Sequence, residues 1–244
     1  VLVLLPIAGV LARVDWSDFG NQVTSPSALT ALGLSLRTAV LATVACLILG
    51  VPLGYALAVM RSRWRPVLRA LVLAPLVLPP VVGGLALLYA FGRRGLLGST
   101  LEHWGITIAF TTTAVVLAQT FVAMPFMVLT TESAVAARGT RNEAIARMYG
   151  ASRTRTLFRV TLPALGPALA AGTVLAFARA LGEFGATLTF AGSLEGVTRT
   201  APLEIYLQRE VDPNVAVALS LLLLIVAVSV VAVAYRPLTR GTSQ

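Results

Sequence analysis

Few residues in this sequence are equipped for chemistry. The 244-residue chain has one His, His103, and one Cys, Cys46; all 19 of its basic residues are Arg. Without Lys there is no P-loop, whose Lys reaches the phosphates, and no Schiff base. A single His and a single Cys leave His/Cys metal sites, a Cys–His nucleophile pair and intrachain disulfides without parts. An intramembrane enzyme would lack a Ser/His/Asp or metal constellation. What remains is charge in unusual places. Arg179 and Glu183 stand four residues apart in an otherwise apolar stretch, on one face of any helix they share. A charge facing lipid costs about 2.5–3.5 kcal/mol, so both are expected to face the interior or a wet pathway. They suit either a structural pair tying spans together or a gate, with Arg179 drawing an anion and Glu183 limiting its grip. Gly182 and Gly185 flank Glu183 and allow close helix approach or a local break. Thr187 adds a hydroxyl nearby.

The elements that must position these residues follow from composition. The chain is 57% hydrophobic and 12% charged, where a soluble domain carries about a quarter charged residues. That much apolar surface exceeds what one soluble core hides, so the bilayer is its solvent. Crossing about 30 Å of hydrocarbon takes roughly 20 apolar residues. Five stretches qualify, at 34–60, 67–91, 106–131, 165–190 and 214–235, and a sixth, near 1–14, is short. The chain starts with Val, which suggests residues upstream; a signal-peptide core is the other reading, without a basic start or a cleavage site. The sequence therefore predicts one all-α integral membrane domain over 1–244, with six transmembrane helices, the first truncated. Pro75, Pro79 and Pro80 lie inside the third span and predict a kink, as a packed bend or as a constriction in a pathway. Cys46 reads as a packed span residue and His103 as a solvated loop residue.

Loop charges set the orientation. One side combines 61–66, Arg69, the 132–164 loop and the tail after Tyr235; it gathers 12 Arg, among them Arg236 and Arg240, against Glu132 and Glu143. The rest has 7 Arg against 8 acids. The positive-inside rule makes the first side cytoplasmic and puts both termini there. Arg93 and Arg94 break the pattern locally. The net charge of +9 thus belongs to cytoplasmic loops, and no nucleic-acid partner is expected.

The longest of these loops is also the most charged. In RNEAIARMYGASRTRTLFRVTLP (141–163), Asn142 is expected to cap a short helix, with Glu143 at the positive end of its dipole. Ala144, Ile145, Ala146 and Met148 offer small or apolar surface, and Gly150 permits a reversal. A second helix over about 152–162 places Arg155 and Arg159 four residues apart. Arg138, at the loop's edge, is expected to matter little. Such an element either rests on headgroups or is gripped by another protein.

The spacing resembles the EAA loop of ABC importer permeases: a Glu/Ala-rich helix, a Gly, nine residues, then Ile-x-Leu-Pro. Here Gly150 is followed after nine residues by Val160-Thr161-Leu162-Pro163, with Val for Ile, and Ala144 stands where the usual Glu does, Glu143 lying one earlier. The blocks at 73–98, 172–193 and 198–206 resemble the molybdate permease subunit family. Sulfate permeases share a fifth-span motif close to ARALGEFGA, whereas Gly92-Arg93-Arg94-Gly95 and Thr198-Arg199-Thr200 resemble the molybdate branch. The likeness implies a homodimer on two ATPase subunits, with a periplasmic oxyanion-binding protein outside, in a bacterial or archaeal plasma membrane. It implies no cofactor in this chain, ATP and Mg belonging to the ATPase. It further implies ATPase coupling through Arg141, Glu143, Ala144, Ala146, Arg147, Gly150, Ala151, Arg155 and Pro163. A molybdate or tungstate path would pass Pro79, Pro80, Arg179, Gly182, Glu183, Gly185 and Thr187, and the binding protein would meet Arg93, Arg94 and Arg199. A sulfate or thiosulfate permease is the rival within this class; an autonomous secondary carrier, which needs no coupling loop, is the rival outside it.

Overall fold

The computed structural model describes Leu2 and residues 4–235. The tail arginines Arg236 and Arg240, counted above on the positive side, lie outside the described residues. All regular structure among the described residues is helical. In chain order the helices are α1 (Leu4–Leu11), α2 (Phe19–Val23), α3 (Pro26–Val59), α4 (Arg65–Leu73), α5 (Pro80–Phe91), α6 (Gly98–His103) and α7 (Thr112–Arg138). They continue with α8 (Arg141–Met148), α9 (Arg153–Thr156), α10 (Leu162–Leu181), α11 (Gly185–Ala191), α12 (Ala201–Val211) and α13 (Pro213–Tyr235).

Among the described residues, four continuous helical runs are long and apolar enough to cross a membrane: α3, α7, the run Arg153–Leu181, and α13. The expected third span, 67–91, is not one helix. α4 with the turn Ala74–Leu76 meets α5 at 112°, a bend much sharper than a proline kink. Each proline sits where its missing N–H goes unneeded: Pro75 early in the short turn, Pro79 as N-cap and Pro80 at the first position of α5. At the opposite extreme α1 has eight residues, about 12 Å of helix, so the first expected span is not seen as a full crossing. The crossing helices thus number four, or five with the bent pair, against the six expected.

Caps moved the other boundaries. The Ser25 side chain accepts from Ala28 N and Pro26 opens α3, eight residues before the expected 34. The Thr111 side chain accepts from Ala114 N, so α7 starts at Thr112 instead of 106, and it runs on to a stop at Gly139. Glu132 therefore belongs to a helix and not to the loop. The expected fifth span, 165–190, begins earlier and breaks sooner. α9, the π-turn Leu157–Thr161 and α10 form one run, which ends at Leu181; α11 is a separate helix. Asn142 is not a cap, since α8 begins after Thr140.

α7 is the central post. On one side Ala123 and Met127 pack against Ala39, Ala42 and Cys46 of α3 and Ala176 and Ala180 of α10. On the other, Val115, Ala118 and Val122 pack against Leu87 of α5 and Ala186 and Phe190 of α11. The small residues let the helix backbones approach closely, as transmembrane packing requires.

Candidate functional site

The sequence places one acid deep in the fifth apolar stretch, and the structure gives it two duties. α10 ends at Gly182, and Glu183, 1% exposed, lies in the gap before α11. Its Oε2 sits 2.7 Å from Arg179 Nη1, and its Oε1 accepts a 2.7 Å hydrogen bond from Ala186 N. One carboxylate thus pairs with the last turn of α10 and caps the first turn of α11, where exposed amides favour an anion. Arg179 keeps 30% of its side chain exposed. Phe184, between the two helices, rests on Tyr206 of α12 with ring centroids 5.1 Å apart.

This break abuts the other broken element. A Cβ added at Gly185 would lie 2.8 Å from Pro80 Cβ, and one at Gly84 would lie 2.8 Å from both Ala186 O and Thr189 Cβ. Glycine at these positions lets α5 and α11 touch backbone to backbone. The structure therefore brings Pro80, Glu183 and Gly185 together with Arg179; Pro79 and Gly182 adjoin them and stay exposed. Thr187 is fully buried, and its hydroxyl has no partner among the described residues. Gln119 of α7 is also fully buried, with neither amide atom partnered. No spacing in the sequence marked Gln119.

At the arginine-rich end the 132–164 region is organised by two acids. Glu132, 5% exposed at its side chain, receives Arg65 Nη2 and Arg69 Nε, each at 3.1 Å, and so ties α4 to α7. Glu143 is 1% exposed; Arg138 Nη2 donates to its Oε1, and Thr161 Oγ1 donates to the same oxygen at 3.1 Å. Arg138, expected to be peripheral, is instead the partner of the buried carboxylate that joins α8 to the π-turn. The reason lies in chain geometry: Gly139, with φ +68°, turns the chain between α7 and α8, and α8 packs on the π-turn and α9. Gly150, with φ +82°, makes the second reversal. Between them α8 exposes Arg141, Ala144 and Arg147, with Ile145 at 42%, Met148 at 86% and Tyr149 at 89% exposure. Ala146 and Ala151 are half-buried, and Arg155 and Pro163 are exposed.

At the opposite end Arg93 is 76% exposed and only 4.0 Å from Glu102, and Arg94 is exposed. Arg199 is different. Only 19% exposed, it lies 3.4 Å from the buried Glu204 and 3.3 Å from Glu195, so it is not a free surface cation. No group of three or more His, Cys, Asp or Glu among the described residues is placed to hold a metal ion.

The sequence matches the family described as binding-protein-dependent transport system inner membrane component over residues 50–241. The chain belongs to that family. Among its relatives, the molybdenum transport system permease protein ModB of Mycobacterium tuberculosis is 58% identical over 218 residues, covering 89% of this chain and 83% of that protein. The sulfate transport system permease protein CysT of Escherichia coli is 32% identical over 222 residues, covering 89% and 80%. The fold resembles that of a bacterial alginate ABC transporter solved with an alginate pentasaccharide-bound periplasmic protein, at TM-score 0.76 and 16% identity, over 98% of this chain and 90% of that one. As an inner membrane component of this family with several apolar crossing helices, the chain is a multi-pass membrane protein.

Proposed function

We propose that this chain is the permease subunit of an ABC importer that carries molybdate or tungstate across the plasma membrane, working as a homodimer on two ATPase subunits that bind and hydrolyse the nucleotide. The observation that carries the reading is the 58% identity to a molybdenum permease over 89% of the chain, against 32% to a sulfate permease over the same share. Six crossings per copy are the intended arrangement, with α1, which packs on α13, as the first and the α4–α5 pair as the third. Arginine-rich loops and both termini then face the cytoplasm.

In this reading the meeting of α5 and α11 is the gate. Two helices that each break at the same level offer backbone ends and Arg179 to an oxyanion without a closed cage. Glu183 offsets the guanidinium, so that binding stays weak enough to release. α8 is the seat for the ATPase, presenting Ile145, Met148 and Tyr149. A push on α8 reaches α10 as a rigid movement through Glu143, Thr161 and the continuous run to Leu181. Arg93 and Arg94 meet the acidic face of a periplasmic binding protein, and Arg199 shapes that face from beneath through Glu204. The test is ATP-driven uptake by vesicles holding the permease, its ATPase and a molybdate-loaded binding protein. Uptake of molybdate with no uptake of sulfate is expected. Sulfate uptake at the same rate would move the chain to the sulfate class, and uptake without the ATPase would make it a secondary carrier.

A further inference from the structure

Beside the coupling region, a groove of about 770 Å³ opens between α3 and the Arg153–Leu181 run. Its walls are apolar: Ile48, Val51 and Pro52 on one side, and Phe158, Leu165 and Leu169 on the other. Both walls are irregular where they face it. Pro52 lacks the N–H that would bond Ile48 O, which bends a helix away from its partner. Opposite, the π-turn Leu157–Thr161 widens the second wall. The groove spans Thr156 to Leu169 on that wall, about 20 Å of helix, against about 15 Å for half of the hydrocarbon core. It is therefore as deep as one leaflet.

Its chemistry changes along its length. The far end is hydrocarbon-like. The end beside α8 is lined by Arg147 and Arg153, both exposed. Arg153 makes no ion pair or side-chain hydrogen bond among the described residues. Arg147 uses only Nε, donated to Glu143 O at 3.2 Å, so its terminal nitrogens have no partner among the described residues. Glu143 also lines this end; its Oε1 is engaged by Arg138 and Thr161, and its Oε2 is buried with no hydrogen-bond partner among the described residues. A dry slot one leaflet deep, with two guanidiniums at the headgroup level, is complementary to one kind of molecule. We propose that it binds an anionic phospholipid of the inner leaflet, an acyl chain in the slot and the phosphate on Arg147 and Arg153. Guanidinium forks suit phosphate oxygens, and the surrounding arginine-rich surface draws anionic lipids toward it.

The experiment is native mass spectrometry of the permease released from micelles carrying equal amounts of phosphatidylglycerol and phosphatidylcholine of matched chains. Each guanidinium near an anionic surface is worth about a fivefold preference. The intact protein is thus expected to retain phosphatidylglycerol about thirtyfold over phosphatidylcholine, and Arg147→Gln/Arg153→Gln to retain the two alike. Arg61→Gln/Arg63→Gln removes the same charge from the same end without touching the groove, and is expected to keep the preference. Val51→Trp, which fills the slot, is expected to lower retention of both lipids. Equal retention by the unaltered protein would overturn the proposal, as would a preference that survives in Arg147→Gln/Arg153→Gln or is lost in Arg61→Gln/Arg63→Gln. A disulfide between two copies through Val51→Cys in a Cys46→Ala background would also overturn it, by giving the groove to a second protomer. The measurement needs neither ATPase nor substrate, so its failure leaves the transport reading standing.

Discussion

Separating the two duties of Glu183 makes a demanding test of the broken helix. Its Oε2 faces Arg179 at 2.7 Å while its Oε1 holds Ala186 N at 2.7 Å, so three substitutions remove different things. Glu183→Gln keeps an acceptor for Ala186 and loses the ion pair. Arg179 is 30% exposed and regains water, so the cost is about 1 kcal/mol. Glu183→Ala loses the cap as well, adding about 1 kcal/mol. Arg179→Ala strands a carboxylate that is 1% exposed with one amide for company. Removing one member of a buried pair costs about 3–5 kcal/mol, and partial exposure of the arginine puts this case at the low end, about 3. The double change Arg179→Ala/Glu183→Gln removes the stranded charge and should return to about 1 kcal/mol. The order of damage is therefore Arg179→Ala, then Glu183→Ala, then Glu183→Gln and the double variant together.

The assay is equilibrium unfolding in mixed micelles, with hydrogen exchange at the amides of Gly185, Ala186 and Thr187 read in parallel. Glu183→Ala should speed exchange there by about fivefold through the lost cap, and Glu183→Gln should leave it nearly unchanged. If the double variant is no more stable than Arg179→Ala, no buried charge was stranded and the pairing argument fails. If Glu183→Gln speeds exchange as much as Glu183→Ala, the carboxylate is not a cap.

Four further outcomes follow from the geometry. Arg138→Ala should loosen α8, raising protease cleavage within 141–149 and lowering co-purification of the ATPase, while Arg138→Ala/Glu143→Ala should recover part of the loss; equal loss in both would refute the link. Gly84→Ala and Gly185→Ala should each cost about 1–3 kcal/mol in unfolding and slow uptake, whereas Gly166→Ala, whose Cβ meets nothing within 4 Å, should be neutral. Gly150→Val, at φ +82°, and Ala146→Trp should leave the protein inserted and dimeric yet weaken ATPase co-purification by one to two decades. Cysteines placed in a Cys46→Ala background at Ser62 and Ser152 should label only from the cytoplasm, and at Ser99 and Ser193 only from outside; external labelling of Ser152 would invert the orientation.

The long apolar helices were legible because about 20 consecutive apolar residues have few other uses, and the reversal at Gly150 was legible because its place in the loop asks for a residue free of Cβ strain. What was not legible depended on side-chain contacts that hydropathy does not register. Gly182 and Gly185 allowed a break near Glu183 but did not require one; the stop after Leu181 is held by a carboxylate bonding forward to Ala186 and by Gly185 fitting against Pro80. The bend expected from Pro75, Pro79 and Pro80 is present, but its size, 112° between α4 and α5, was hidden by continuous hydropathy on both sides. Helix starts moved because Ser25 and Thr111 hold caps that hydropathy does not weigh. The weight of Arg138 was not legible because the burial of Glu143, five residues on, follows from the fold and not from the composition of the loop.

One signal did point to these contacts. Glu132 and Glu143 are the two acids among the 12 arginines of the positive side, where solvation alone would call for none. Both are buried, and each holds two donors: Arg65 and Arg69 of α4 for Glu132, Arg138 and Thr161 for Glu143. Glu183 does the same with Arg179 and Ala186, and Glu204 with Arg199 and Gln208. Glu143 and Glu204 lie in the first turns of α8 and α12, Glu183 lies between α10 and α11, and Glu132 lies within α7 and ties it to α4. A carboxylate can hold two groups at once, one on each oxygen as in Glu132, Glu183 and Glu204 or both on Oε1 as in Glu143, and in a low dielectric an unpaired one is costly. The helices between the acids are packed by small apolar residues that permit sliding, whereas each node loses two strong bonds if its members separate. Movement in this protein should therefore occur as displacement of whole helices about Glu132, Glu143, Glu183 and Glu204, with the four acids marking the joints and the alanine-lined faces between them marking the surfaces that slide.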